Sequence, residues 1–387
     1  MTTKKTNHCT YVDNSLRLNF AEKNGEIFAR YKPCCNLNSE KISPAMKNKT
    51  SISSIDEVFT GQSRRLWQEY FAANNELHPA CIQCIDLESA GLKSPRIDAN
   101  RNFNADKFEV FRLDITLSTE CNLACTFCSP GSSSLIKKIS RNDNTKNLPE
   151  QWKKINNEIT PDATKTSNLI SNFLEKYKVQ MIKFIGGEPL LHNNWEPIAS
   201  IIDKNILSET TLELTTNGTV INQRVLDNLS KVKSVKLRIS VDSIGKNYDF
   251  LRWPHKFEKI DKILRFLQKN KPDNFDIRIA CLVNIYNFEM LPLIEEYFNE
   301  IGFPVGYTFN LKPNNSIQHY QNIPIHIRQF VAERCSKESN LAMISDNITT
   351  DNTRSKEDIV RETRWFLEQR NMPSDVLAPM TREWLGL

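Results

Sequence analysis

The sequence predicts an α/β fold built around a parallel sheet. Short apolar runs suited to strands recur at residues 108–117, 180–185, 211–216, 234–241, 276–283 and 306–311. Segments of helical period separate them, and each run stops at a turn or a polar strand end. Strand–helix alternation over some two hundred residues calls for βαβ crossovers, because parallel strands cannot be joined by tight turns.

The individual elements follow from side-chain spacing. Phe111, Leu113, Ile115 and Leu117 alternate with Arg112, Asp114 and Thr116, the period of two of a strand. Met181–Ile185, Leu212–Thr216, Val235–Val241, Ile277–Val283 and Tyr307–Leu311 supply the other five. Leu169, Ile170, Phe173, Leu174 and Tyr177 follow helical spacing, as do Ile260, Ile263, Leu264 and Leu267. Upstream, Leu16, Leu18 and Phe20 alternate, Asn24-Gly25 offers a hairpin turn, and Ile27, Phe28 and Tyr31 run back. Residues 55–71 read as one helix. The polar stretch 97–107 reads as a linker, Gly131–Asn147 as a long loop, and Ser345–Ser355 as another. From Pro324 the chain reads as helices, with Trp365, Phe366 and Trp384 available to anchor them. The expected divisions are 1–100, 101–320 and 321–387.

Composition narrows the class of function. With 387 residues, 39% of them hydrophobic, a sizeable core is available. The net charge of +5 is mild and no dense basic run occurs, so nucleic acid is not indicated. No apolar run approaches the roughly 20 residues of a membrane span. The first residues are polar and lack a signal-peptide core, so a cytoplasmic location is expected. In that compartment ten cysteines point to metal rather than disulfides.

The cysteines are not scattered. Cys121, Cys125 and Cys128 stand at spacing C-x3-C-x2-C in the loop leaving the first predicted barrel strand. Thiolates this close suit an iron–sulfur cluster. Three thiolates leave one iron open to a small-molecule ligand; a zinc knuckle is the plainer reading. The second strand ends in Gly186-Gly187-Glu188-Pro189, where glycines admit a ligand to the backbone and a carboxylate can accept from an amine. Cys9, Cys34, Cys35, Cys81 and Cys84 form an N-terminal group, which the hairpin and the C-x2-C loop would draw together. Four thiolates there could hold zinc or a second iron–sulfur cluster.

The two motifs, in this order, resemble those of the radical S-adenosylmethionine (SAM) enzymes. The resemblance implies a partial (β/α)6 TIM-like barrel and a 4Fe–4S cluster on Cys121, Cys125 and Cys128. It implies reductive cleavage of SAM to a 5′-deoxyadenosyl radical that abstracts a hydrogen atom from a second substrate. The SAM-binding positions implied are Phe127, Gly186, Gly187, Glu188, Pro189, Thr215, Asn217, Ser240, Asp242, Arg252 and Val283. Ser240 and Asp242 would serve the ribose, Arg252 the SAM carboxylate, and Val283 the adenine. The phrases Lys32-Pro33-Cys34-Cys35 and Cys81-Ile82-Gln83-Cys84, with Glu88, Gly91, Ser94 and Arg96, are similar to a subgroup with an N-terminal twitch domain, SPASM-like, of small α+β type. That implies a second 4Fe–4S cluster on Cys9, Cys34, Cys81 and Cys84, with Cys35 able to replace Cys34 or Cys9, and zinc as the alternative.

A peptide or protein substrate is expected first by analogy, with a sugar or nucleotide as alternatives, and flavodoxin or ferredoxin as electron donor. No residue is assigned as a catalytic acid, base or hydrogen donor. A non-catalytic iron–sulfur or zinc protein that binds a partner is the competing class. Cys281 and Cys335 read as core thiols, and His192 as a loop residue or substrate contact.

Overall fold

The computed structural model describes residues 8–34, 36–38, 41–46, 48–89, 91, 93–143, 148–153, 160–309, 318–335 and 355–387. The chain opens with a short helix α1 (Thr10–Asn14), then a hairpin of β1 (Ser15–Lys23) and β2 (Glu26–Lys32), then β3 (Asn48–Ser51). The hairpin turn is at Asn24-Gly25 as expected, and both residues have positive φ, 53° and 78°. The helix expected over 55–71 is two: α2 (Asp56–Phe59) and α3 (Gln62–Ala73). They break at Gly61, whose backbone approaches Glu57 so closely that a Cβ there would lie 2.4 Å from the Glu57 carbonyl oxygen. Next come α4 (Ile82–Ser89), which begins inside the C-x2-C segment, and α5 (Pro95–Asn102). The stretch read as a linker is thus partly helical.

Strand–helix alternation then runs as expected. It takes in β4 (Val110–Thr116), α6 (Ser134–Asn142), α7 (Ala163–Lys176), β5 (Val179–Ile185), α8 (His192–Asp203), β6 (Thr211–Thr216), α9 (Gln223–Leu229) and β7 (Ser234–Ser240). It continues through α10 (Gly245–Leu251), α11 (Phe257–Asn270), β8 (Phe275–Val283), α12 (Leu291–Glu300) and β9 (Val305–Phe309). After β9 come α13 (Ile325–Ala332), α14 (Lys356–Gln369) and α15 (Pro379–Leu385). The α/β class and the six strands of the barrel pattern are therefore present. The segment read as a loop from Gly131 holds α6, started by Ser133, whose hydroxyl accepts from the Ile136 N–H. Residues 345–354, read as a loop, lie outside the described residues, as does Cys35.

Two compact units interleave along the chain. The first takes Met1–Thr119, Asn157–Leu214 and Asp227–Val235; the second takes Glu120–Asn156, Thr215–Leu226 and Lys236–Leu387. In the first the strand order is β3-β2-β1-β4-β5-β6. β1 lies parallel beside β4, with Leu16 opposite Leu113 and Leu18 opposite Ile115, so the N-terminal hairpin continues the parallel sheet. Leu16, Leu18, Leu113, Ile115, Ile182 and Phe184 are buried on the apolar side of these strands. The other side carries charges in register, Arg17, Asp114, Lys183 and Glu213 across four neighbouring strands. Lys183 pairs with Glu213 at 2.6 Å and Arg112 with Asp114 at 2.5 Å. In the second unit the order is β7-β8-β9, with β8 and β9 parallel. Leu237, Ile239, Ile277 and Ile279 are buried there, as are Leu264 and Leu267 of α11.

Candidate functional site

In the second unit the Cys121–Cys128 loop is held by its backbone from several directions. A buried loop must have its peptide groups satisfied. The Ala124 N–H donates to Trp253 O (2.7 Å) and the Thr126 N–H to Leu251 O (3.1 Å). Ser133 Oγ donates to Leu123 O (2.6 Å), and Ser134 Oγ accepts from the Cys121 N–H (3.1 Å). Side chains from distant parts of the unit take alternate carbonyls. Arg370 donates to Ala124 O (2.7 Å), Gln318 and Gln151 to Thr126 O (3.0 and 3.1 Å), and the Trp152 indole to Cys128 O (3.0 Å).

The three cysteines are free thiols; Cys125 is buried, Cys121 and Cys128 half-buried. Burial raises the Cys125 thiol, with Arg252 acting in the opposite sense, and pushes Cys128 up to about 12. Thiolates are the ligand form, so binding iron displaces these protons. Arg252 Nε meets Asp242 Oδ2 at 2.5 Å, and its guanidinium lies 5.2 Å from the centre of the Phe127 ring. Burial works against the Arg252 charge, but Asp242 and Cys125 outweigh it and hold its pKa above the usual arginine value. The other oxygen of Asp242 accepts from the Leu282 N–H at 2.7 Å. Asn217 Nδ2 reaches the Cys121 sulfur (3.9 Å) and Asn122 Oδ1 (2.8 Å). The structure thus gathers Cys121, Cys125, Cys128, Phe127, Asn217, Asp242 and Arg252. Thr215 lies near the end of β6 and Ser240 closes β7, both half-buried. Val283, also buried, is in line with Ile279 and Cys281 along β8.

The Gly186–Pro189 turn belongs to the first unit and comes directly after β5. Gly186 has φ +81°, and a Cβ there would lie 2.3 Å from Thr116 Cγ2. Glu188 is 1% exposed. Its Oε1 accepts from the Leu190 N–H (3.0 Å), and its carbonyl accepts from Asn194 Nδ2 (2.9 Å). Ser118 Oγ in turn donates to Asn194 Oδ1 (2.6 Å), which ties the turn to the end of β4. His192, at the start of α8, is exposed and faces Glu196 at 3.4 Å.

The same unit contains the N-terminal cysteines. Cys9, Cys34, Cys81 and Cys84 line one small cavity with Tyr11 and Arg96. Burial pushes Cys9 up to about 11 and Cys81 up to about 12. The neighbouring backbone of Val12 and Tyr11 acts against burial at Cys9, and that of Arg96, with the Ser94 hydroxyl, does so at Cys84. Glu88 clamps Arg96 through two contacts, 3.0 and 2.5 Å, and accepts from Ser94 Oγ at 2.6 Å. Among the described residues no three His, Cys, Asp or Glu side chains converge on the position of a single metal ion. A cubane differs from one ion in this respect, since each thiolate binds its own iron.

Ser133, Gln151, Trp152, Gln318, Glu362 and Arg370 were not singled out by the sequence. All but Glu362, which acts through Gln318, meet the loop directly, from 10 to 246 positions away, and no local spacing marks them. Cys281 and Cys335 are buried, as expected of core thiols. Burial, with Glu295 nearby, pushes Cys335 up to about 12. Among the described residues no helix is long and apolar enough to cross a membrane.

Comparison with known proteins accords with this geometry. "Molybdenum cofactor biosynthesis protein 1" of Dictyostelium discoideum is 24% identical over 54% of this chain and 32% of its own length. The "Probable GTP 3′,8-cyclase" of Methanocaldococcus jannaschii is 25% identical over 54% of this chain and 66% of its own. The chain spans about half the length of the curated relatives it matches. A solved structure of anSMEcpe with bound AdoMet superposes with TM-score 0.40 and 22% identity, covering 53% of this chain and 51% of that one. The family model for the Radical SAM superfamily matches residues 115–290, which include the C-x3-C-x2-C loop and the Gly-Gly-Glu-Pro turn. The chain therefore carries, over residues 115–290, a domain of the Radical SAM superfamily of enzymes.

Proposed function

We propose that this protein cleaves SAM reductively and uses the product to take a hydrogen atom from a second substrate. The observation that carries this is the three-thiol loop, held through its carbonyls and lying in the matched domain. The donor set fits a 4Fe–4S cluster with one open iron: three free thiols, with the Arg252 and Arg370 guanidiniums facing Cys125. When bound and reduced, such a cluster supplies the electron that splits SAM. The chain's own residues do the rest. Glu188, presented by the two glycines, accepts from the SAM amine. Arg252, oriented by Asp242, grips the SAM carboxylate in this reading. On the same reading Phe127, Thr215, Asn217, Ser240 and Val283 serve the nucleoside part of SAM, and the buried loop keeps water from the reacting atoms.

Residues 1–100 are read as a twitch-like module, 101–320 as the barrel and 321–387 as a helical extension. Cys9, Cys34, Cys81 and Cys84 hold the second 4Fe–4S cluster in this reading, supported by the cavity they share. Flavodoxin or ferredoxin is the proposed reductant. A peptide or protein remains the first proposal for the second substrate. A nucleotide is the second reading, favoured by the GTP named for the cyclase relatives.

The test is anaerobic reconstitution, a count of iron, sulfide and zinc, and reaction with SAM under dithionite. The expected result is 5′-deoxyadenosine and about eight irons, falling to about four in the triple Cys121/Cys125/Cys128→Ala variant. About four irons falling to none, with one zinc kept, would make the N-terminal site a zinc clip. A loaded wild-type protein that leaves SAM intact across peptide and nucleotide additions would favour the partner-binding class.

A further inference from the structure

Arg370 stands just past the end of α14, eighty residues beyond the matched domain, yet it ends in the cysteine loop. It is 8% exposed. Its guanidinium donates to the Phe250 and Ala124 carbonyls and lies 4.5 Å from the Phe366 ring centre and 5.4 Å from that of Phe250. Among the described residues no carboxylate pairs with it. Arg252 differs, because Asp242 neutralises it. Arg252 thus has a carboxylate partner and Arg370 has none among the described residues, which leaves one buried positive charge at the loop. A surplus buried charge is costly unless an opposite charge offsets it. The contact of Arg370 with the Ala124 carbonyl puts that charge next to Cys125, where the thiolates of a bound cluster would offset it.

We propose that Arg370 is the permanent counter-charge of the cluster on Cys121, Cys125 and Cys128, stabilising its thiolates and the electron it accepts. The inference rests on the cluster reading above and adds a residue from outside the matched domain. Extra negative charge on reduction is held more easily beside a fixed cation, so Arg370 raises the reduction potential. The carbonyl contacts alone would be a positioning role, and charge and geometry can be separated. Arg370→Lys keeps the charge but loses the fork that spans two carbonyls; Arg370→Gln keeps an N–H donor but loses the charge.

The experiment is a potentiometric titration of the anaerobic full-length protein, tracking the electron paramagnetic resonance signal that Cys125→Ala lacks. The midpoint is expected to move to more negative potential in Arg370→Gln and to stay near wild type in Arg370→Lys. An unchanged midpoint in Arg370→Gln, or equal shifts in both variants, overturns the proposal. If Arg370→Gln loads too little iron to titrate, iron retention against a chelator decides. Retention by Arg370→Lys with loss from Arg370→Gln supports the charge role; equal loss from both, at unchanged circular dichroism, overturns it. A wild-type protein that binds no cluster on the three cysteines would instead remove the cluster reading itself.

Discussion

Both carboxylate oxygens of Asp242 are occupied, one by Arg252 and one by the Leu282 N–H. The family resemblance implied a ribose contact for Asp242; in the structure its carboxylate also orients Arg252. Breaking a buried pair from one side strands the remaining charge, at a cost of about 3–5 kcal/mol. Asp242→Asn is expected to lower the unfolding free energy by that order, read by denaturant titration, and to weaken SAM binding in equilibrium dialysis. Gly186 is the other residue with no substitute. At φ +81° and with Thr116 against it, Gly186→Ala adds strain of about 1–3 kcal/mol and displaces the turn that presents Glu188. Reduced stability together with lost SAM affinity is the expected outcome. The cysteines, the two glycines and Glu188 were legible because their types and spacing carry the chemistry. Asn194, which fixes the Glu188 carbonyl, was not, since an asparagine in a helix resembles any surface amide.

At the scale of elements, the six barrel strands were readable to within about three residues. Burial on one side imposes a period of two, and that period survives without any knowledge of the partners. The breaks were harder. Gly61 splits a helix through a backbone approach that no periodicity reveals, and α6 hid in a Ser- and Lys-rich stretch. The role of α14 was the largest omission. Its Glu362 accepts from Gln318 at 2.7 Å, and Gln318 in turn donates to Thr126 in the cysteine loop. Glu362 Oε2 is buried with no hydrogen-bond partner, and burial raises the carboxyl above its usual 4.5. A carboxyl raised in the folded state contributes fully below pH 4.5, and that contribution is lost as pH rises through its folded value. Glu362→Gln is therefore expected to melt higher than wild type at neutral pH, with the gap closing below pH 4.5. Thermal melts across that range decide it, and a gap that widens toward acid would be the wrong sign.

For the molecule as a whole, two groups of thiols sit in different units, Cys9, Cys34, Cys81 and Cys84 in the first and Cys121, Cys125 and Cys128 in the second. Metal bound at either group would stabilise its own surroundings, because ligand binding adds to the stability of the state that binds. Cys81→Ala is expected to lose hydrogen-exchange protection in α4 and α5 while α6 and α10 keep theirs; Cys125→Ala is expected to do the reverse. Equal loss everywhere in both variants would mean one shared metal site. The sequence offered no sign that β1 would lie beside β4. Pairings between distant strands depend on side-chain fit summed over a sheet, and the alternation in β1 served any apolar neighbour equally well.

The pairing of β1 with β4 also has a bearing on how the chain is made. Lys23 leaves the ribosome roughly 90 residues before Val110. At about 5–20 residues per second, that interval lasts several to about twenty seconds. Throughout it, the nascent hairpin shows an open strand edge bearing Leu16, Leu18 and Phe20, a surface prone to join other chains. A fragment released after Asn102 would keep that edge permanently and precipitate, so yield in a heterologous host will depend on a chaperone that shelters early chains more than on the stability of the finished protein.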